Sequence, residues 1–60
     1  MSNWEHFVWW KKHLLSDLDN GVLKQEEWRR FIREADKAGM GCMASSMQGR
    51  LNYYIGGKNG

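Results

Sequence analysis

Apolar residues between positions 4 and 18 recur at helical spacing. At about 3.6 residues per turn, one arc of the predicted helix carries most of them: Trp4, Phe7, Val8, Leu14, Leu15 and Leu18. Trp9 falls roughly opposite this arc, and Lys11 falls near its middle. The pattern therefore predicts a helix over about residues 3–18 with a core face and a separate tryptophan. Because a charged side chain is not expected in the middle of a core face, either the core is narrower than the arc or that side is also an interface.

Local signals mark both ends of this helix. Ser2 followed by Glu5 matches a capping box, in which each side chain satisfies a free backbone amide of the other residue. The helix is therefore expected to begin at about Asn3. Asn20-Gly21 is a turn dipeptide whose glycine adopts a positive φ without steric cost, so the helix is expected to end near residues 18–19.

A second apolar stripe predicts a helix over about residues 24–38. Its core side consists of Trp28, Phe31, Ile32, Ala35 and Ala38. The other side is charged, and Glu26–Arg30 and Arg30–Glu34 have the i, i+4 spacing of ion pairs within a helix. Gly39 follows in the position of a left-handed cap and is expected to end the helix.

The third helix is predicted over about residues 42–55. Its apolar stripe consists of Met43, Met47, Leu51 and Tyr54, with Ala44 and Ile55 beside them. The opposite face is small and nearly uncharged, with Arg50 at its border. Residues 56–60 have nothing to bury and are expected to form a flexible, glycine-rich tail.

Together these patterns predict an all-α fold of three short helices in one domain, residues 1–55, followed by the tail. The first two helices are expected to pack through Phe7, Leu14 and Leu18 against Trp28, Phe31 and Ile32. Met43, Met47 and Leu51 are expected to close the core. Because methionine packs adaptably, the third helix is the one expected to shift or to order on binding.

Composition bears on the stability of this fold and on its cellular compartment. A chain of 60 residues has a marginal core, but four tryptophans supply enough apolar area to stabilise it without a disulfide or a metal. The single Cys42 favours a reducing compartment, with the thiol used for packing. No apolar run is long enough for a signal peptide or a membrane span, so we expect a cytoplasmic protein without membrane contact or cofactor. The net charge is only +2, and Asp36 is the last acidic residue.

Two arrangements of polar residues suggest a site on the first helix or the turn after it. His6, Trp10, His13 and Asp17 form a stripe, in which a surface ion pair between His13 and Asp17 is the favoured interpretation. Residues 17–27 resemble an EF-hand calcium loop in their second half. Asp17, Asp19 and Glu27 are the weak metal-ligand alternative, because a leucine occupies an early ligand position. A polar turn is the favoured interpretation, and no metal is expected.

Residues 31–54 match parts of a helix-turn-helix motif, with Gly39 in the turn. The region of residues 45–53 would then contact nucleic acid. Its candidate contacts are Ser45, Ser46, Gln48, Arg50 and Asn52, whose side chains can bond bases or phosphates. The low charge argues against this alternative, because phosphate contacts dominate the affinity of such proteins.

The leading hypothesis is a non-enzymatic protein-binding module, since no nucleophile–base pair, paired carboxylates or phosphate loop is present in the sequence. Trp9, Trp10, Tyr53 and Arg50 are the expected contact residues, because tryptophan, tyrosine and arginine are enriched in interface hot spots. Small size and surplus aromatic area favour a regulator or inhibitor of a larger protein or nucleoprotein machine, of the bacterial or phage type. A homodimer is compatible with this hypothesis and with DNA binding.

Overall fold

The computed structural model describes residues 3–56, which contain three α-helices. α1 spans Asn3–Asp19, α2 spans Gln25–Lys37 and α3 spans Gly41–Gly56. The all-α, three-helix fold is confirmed, and every helix boundary lies within one residue of its predicted position. Gly56 belongs to α3 rather than to the tail, whereas Ser2 and residues 57–60 lie outside the described residues. None of the described helices is long and apolar enough to cross a membrane.

α1 and α2 each end at a glycine in the left-handed region. Gly21 has a φ of 83° and Gly39 a φ of 81°. At the end of α2, the amide of Met40 donates to the Ala35 carbonyl (N···O 2.9 Å), and the amide of Gly39 donates to the Asp36 carbonyl (N···O 3.1 Å). The same two bonds close α1 around Gly21. These are Schellman caps, so both glycine stops predicted from the sequence are confirmed.

α2 lies at the centre of the core. Within residues 3–56 it packs against both other helices, while no Cα atom of α1 comes within 8 Å of one in α3. Trp28, Phe31 and Ala35 of α2 are fully buried. The remaining buried residues are Phe7 and Leu14 from α1 and Met43, Ala44, Met47 and Leu51 from α3. All the residues predicted to pack between the helices lie in this core or against it, with Leu18 and Ile32 partly buried at its edge.

The buried side of α1 is narrower than predicted and is turned toward Trp10. Trp4, predicted to be a core residue, is 59% exposed, whereas Trp10 is partly buried against the core. Val8, Leu15 and Leu18 are only partly buried. Because the backbone of α1 lies close to α2 alone, only a strip of its surface is covered. Lys11 is partly buried at the edge of that strip.

Three further residues predicted to be covered are exposed. Ala38, predicted on the core side of α2, follows the last residue of that helix, and Ile55 in the last turn of α3 is 41% exposed. Cys42, predicted to be a packing thiol, is an exposed free cysteine in the first turn of α3. Each lies next to a helix end, where fewer neighbouring side chains cover it.

Candidate functional site

A groove runs along the seam between α1 and α2, with a volume of about 490 Å³. We call it the α1–α2 groove. It is lined by His6, Trp9, Trp10, His13, Leu14 and Asp17 from α1 and by Lys24, Glu27, Arg30 and Glu34 from the α2 side. Its α1 wall is therefore mainly aromatic, and its α2 wall is charged.

Trp10 anchors the aromatic wall. Its ring meets the fully buried Phe31 edge to face, with centroids 5.3 Å apart, and stacks on Phe7 at 6.0 Å. His6 lies against the same indole, with centroids 5.7 Å apart. Because neighbouring rings contact it on several sides, Trp10 is an ordered part of the groove lining.

Trp9 stands at the rim of the groove and is 58% exposed. Adjacent residues of an α-helix are rotated by about 100° about its axis, so Trp9 does not share the packing of Trp10 against Phe31. Its ring contacts His13, with centroids 4.5 Å apart, which leaves most of the indole open to solvent. The sequence prediction that Trp9 lies outside the core is confirmed.

An ion pair closes one end of the groove. Lys24 Nζ lies 3.1 Å from the Asp17 carboxylate. The hydrogen bond to Asp17, together with the charge of that carboxylate, raises the pKa of Lys24 above its ordinary value of 10.5. The predicted pair between His13 and Asp17 is wrong, because the carboxylate binds Lys24 and the imidazole contacts Trp9 instead.

The α2 wall carries three charged side chains that make no ion pair within the described chain, although the charge of Glu27 helps to raise the pKa of Lys24. Glu27, Arg30 and Glu34 are exposed, and none of them makes an ion pair within 4.0 Å among residues 3–56. The pairs predicted within the helix, Glu26–Arg30 and Arg30–Glu34, are therefore not formed. These charged side chains remain available to an external group.

The predicted partner-binding residues fall on two separate surfaces. Trp9 and Trp10 line the α1–α2 groove, whereas Arg50 and Tyr53 line a shallow pocket on α3. The residues of that pocket are Ser45, Ser46, Gly49, Arg50, Tyr53 and Tyr54, and we call it the α3 pocket. Its volume is about 480 Å³.

The structure also divides the predicted nucleic-acid contacts. Ser45, Ser46 and Arg50 share the α3 pocket. Gln48 and Asn52 do not line it. The Gln48 amide donates to the Asn52 side-chain oxygen (N···O 3.0 Å), and Gln48 lines a neighbouring pocket with Ser45 and Ser46. Three of the five predicted polar contacts therefore lie together.

The turn residues proposed as calcium ligands have another arrangement. Asp17 and Asp19 lie in the last turn of α1, and Glu27 lies in the first turn of α2. Within residues 3–56, no group of three or more histidine, cysteine, aspartate or glutamate side chains is placed to hold a metal ion. The Asp17 carboxylate is instead bonded to Lys24.

Sequence reasoning identified the aromatic wall but not the charged one. Glu27, Arg30 and Glu34 were assigned to pairs within the helix or to the turn. The available signal was their spacing, which places them with Lys24 on one flank of α2 with alternating charge.

Comparison with known proteins finds no family model, curated protein or solved structure that matches this chain.

Proposed function

We propose that this chain is a small, non-enzymatic protein-binding module that acts through the α1–α2 groove. The observation that carries the proposal is the exposure of Trp9. Its indole is 58% exposed at the rim of the groove, beside an aromatic wall of packed rings. Tryptophan is enriched among interface hot spots, and this one stands beside a groove that a partner could enter.

The construction of the groove supports this proposal. Trp10 is already held by Phe7 and Phe31, so little ordering remains to be done when a partner binds. Glu27, Arg30 and Glu34, which make no ion pair among residues 3–56, give the neighbouring wall an alternating pattern of charge. Such patterns set the orientation and the choice of partner more than the raw affinity.

A regulator or inhibitor of a larger bacterial or phage assembly is the biological role that we propose for such a module. A chain of 60 residues can cover a functional surface on a larger protein while carrying no chemistry of its own. The protein partner, rather than a cofactor or metal, would then determine the biological effect.

Trp4 offers a matched control for testing Trp9. The two indoles have nearly equal exposure, 59% and 58%, but only Trp9 lines the groove. The test is a pull-down from lysate of the source organism with three tagged baits: wild type, Trp9→Ala and Trp4→Ala. Quantitative mass spectrometry compares the proteins that each bait recovers. The partner recovered is then purified, and its Kd for each variant is measured by calorimetry.

We expect Trp9→Ala to weaken the Kd by about tenfold or more, because a hot-spot tryptophan contributes more than 1.4 kcal/mol. Trp4→Ala should bind like wild type, and both variants should retain the wild-type helical circular dichroism. Equal affinity of the two variants would contradict the proposal. Unfolding of Trp9→Ala would show that this side chain supports the core instead.

The α3 pocket favours nucleic-acid binding as a second candidate function. Ser45, Ser46 and Arg50 line one pocket, and Arg50 makes no ion pair within residues 3–56. Hydroxyl and guanidinium groups are common phosphate contacts. A guanidinium free of carboxylates remains able to make one.

Fluorescence anisotropy with labelled duplex DNA at low salt tests this second candidate. Arg50→Ala should abolish binding, while the equally charged change Arg29→Ala, on α2 and outside the α3 pocket, should reduce it only slightly. The affinity of the wild type should fall steeply as salt rises. Absence of wild-type binding at low salt, or equal effects of both variants, rejects a nucleic-acid function.

A further inference from the structure

We propose that the α1–α2 groove accepts a second copy of this chain, with the two α2 helices antiparallel about a two-fold axis. This inference rests on the proposed function, because it uses the same groove as a protein-binding site. It is carried by the order and spacing of charges along one flank of α2, together with the exposed Trp9 at its rim.

Four charged residues of alternating sign follow the groove: Lys24, Glu27, Arg30 and Glu34. Glu27, Arg30 and Glu34 are three and four residues apart within α2, and each such step nearly completes a turn, so they lie on one side of the helix. Lys24 immediately precedes α2 and lines the same groove. Read from the start of α2, the signs are positive, negative, positive and negative. The strip therefore contains equal numbers of both charges.

An antiparallel second copy matches this order at every position. Lys24 of one copy faces Glu34 of the other, and Glu27 faces Arg30. The midpoints of these two pairs differ by half a residue, so one two-fold axis satisfies both. In a parallel arrangement in register, each charge would face its own like charge. The charge order thus selects the antiparallel dimer.

The state of these side chains in the single chain agrees with an external partner. Glu27, Arg30 and Glu34 are exposed and make no ion pair among residues 3–56. Lys24 is already bonded to Asp17 and can contact a second carboxylate, because an ammonium group has three donors. Pairing across the axis therefore breaks no ion pair that the chain already makes.

Trp9 adds apolar area along the edge of this charged strip. It lines the same groove and is 58% exposed, so a second helix laid in the groove would cover it. α2 has 13 residues and is about 20 Å long, which limits the contact to a small interface. We therefore expect a weak, concentration-dependent dimer that high salt dissociates further.

Charge reversal gives a sharp test by sedimentation equilibrium at low salt over a wide range of protein concentration. Glu27→Arg places two positive pairs at the axis, and Arg30→Glu places two negative pairs there. Each variant alone should dimerise about tenfold more weakly than wild type or worse. An equimolar mixture of the two should form a heterodimer, because each reversed charge then faces its opposite.

The double variant Glu27→Arg, Arg30→Glu should also recover a homodimer, since the reversed order is again self-complementary. Arg29→Glu is the matched control: it changes the net charge as Arg30→Glu does, but it lies outside the groove and should leave dimerisation unchanged. Circular dichroism verifies that every variant folds.

A monomeric wild type at all concentrations would overturn this inference, as would single variants that still dimerise or a mixture that fails to do so. These results are separable from the proposed function. If the wild type is monomeric but Trp9→Ala selectively loses a heterologous protein, the groove is a binding site and its occupant is not a second copy. If the wild type dimerises as predicted and Trp9→Ala loses no heterologous partner, the groove serves self-association alone.

Discussion

Trp28 is the largest side chain of the core and is fully buried, yet its indole N–H has no hydrogen-bond partner among residues 3–56. An unsatisfied buried donor costs about 1–3 kcal/mol, so this residue stabilises the fold through its volume alone. The ring nevertheless belongs in the core because its apolar area is large enough to outweigh that cost.

We expect Trp28→Ala to unfold the protein. Removing a buried tryptophan costs about 3–5 kcal/mol, and a core of this size rarely supplies more than about 3–5 kcal/mol. Trp28→Phe should cost less, because it removes the unpartnered N–H together with part of the ring. Urea denaturation followed by circular dichroism measures both losses. A folded Trp28→Ala variant with a wild-type midpoint would contradict this account of the core.

The ion pair between Lys24 and Asp17 predicts a pH dependence of stability. Its hydrogen bond raises the folded-state pKa of Lys24 above the ordinary value of 10.5, which we take for the unfolded chain. A raised pKa means that the contribution is fully present below 10.5 and is lost as the pH rises through the folded-state pKa. Both side chains are partly exposed, so the contribution is small and sensitive to salt.

The measurement compares the unfolding free energies of wild type and Lys24→Gln across this range. The difference should be constant between about pH 7 and pH 9 and should vanish in strongly alkaline solution, where Lys24 loses its proton in both states. Asp17→Asn should show the same loss at neutral pH. A difference that grows with rising pH would mean that another group is responsible.

At the scale of the helices, the two glycine caps define where α1 and α2 end. Gly39 has a φ of 81°, a conformation that an L-residue adopts only with strain. Gly49 offers the opposite case, because it lies inside α3 and a Cβ added there would meet nothing within 4 Å. The two glycines therefore predict opposite effects of the same substitution.

Gly39→Ala should lower the free energy of unfolding by roughly 1–2 kcal/mol, since alanine pays the left-handed strain. Gly49→Ala should raise it by roughly 0.5–1 kcal/mol, since alanine reduces the backbone entropy lost in forming the helix. Urea denaturation of the purified variants measures both changes. A stabilised Gly39→Ala variant would be incompatible with the cap.

How far the helices could be predicted follows from which of their features are local. The apolar periods and the glycine stops are properties of neighbouring residues, so the predicted helix boundaries agree with the observed ones to within one residue. The buried side of α1 did not, because Trp4 and Trp10 are equally apolar and lie on different sides of the helix. Contact with Phe31 decides between them.

At the scale of the whole molecule, α2 joins two helices that do not approach each other closely. α1 contributes two residues to the buried core, Phe7 and Leu14, whereas α3 contributes four. α3 also packs more extensively along α2 than α1 does. This asymmetry predicts that α1, rather than α3 as its methionines suggest, is the helix that is less firmly attached.

We therefore expect α1 to open before the rest of the fold. Backbone amides in the middle of α1, near Trp10, should exchange with solvent at a lower opening free energy than those near Phe31 in α2. Residue-resolved hydrogen exchange by NMR measures both. Equal protection of the two helices would show that the molecule opens only as one unit.

The candidate site shows the same division between local and tertiary information. Trp9 was predicted outside the core because its position on the helix is a matter of sequence spacing alone. The opposite wall was missed, because Glu27, Arg30 and Glu34 have partners available within the helix at favourable spacings. The structure leaves those three side chains without an ion pair among residues 3–56, beside an aromatic wall contributed by another helix.

The sequence by itself determined three helices, their glycine stops and the buried stripe of α2, since backbone geometry and the helical period act over a few residues. Only the tertiary structure decided that Trp10 rather than Trp4 is covered, and that Asp17 binds Lys24 rather than His13. Those outcomes depend on how α1 is rotated against α2. That rotation is set by the fit of many side chains across the seam, which no local pattern in either helix specifies.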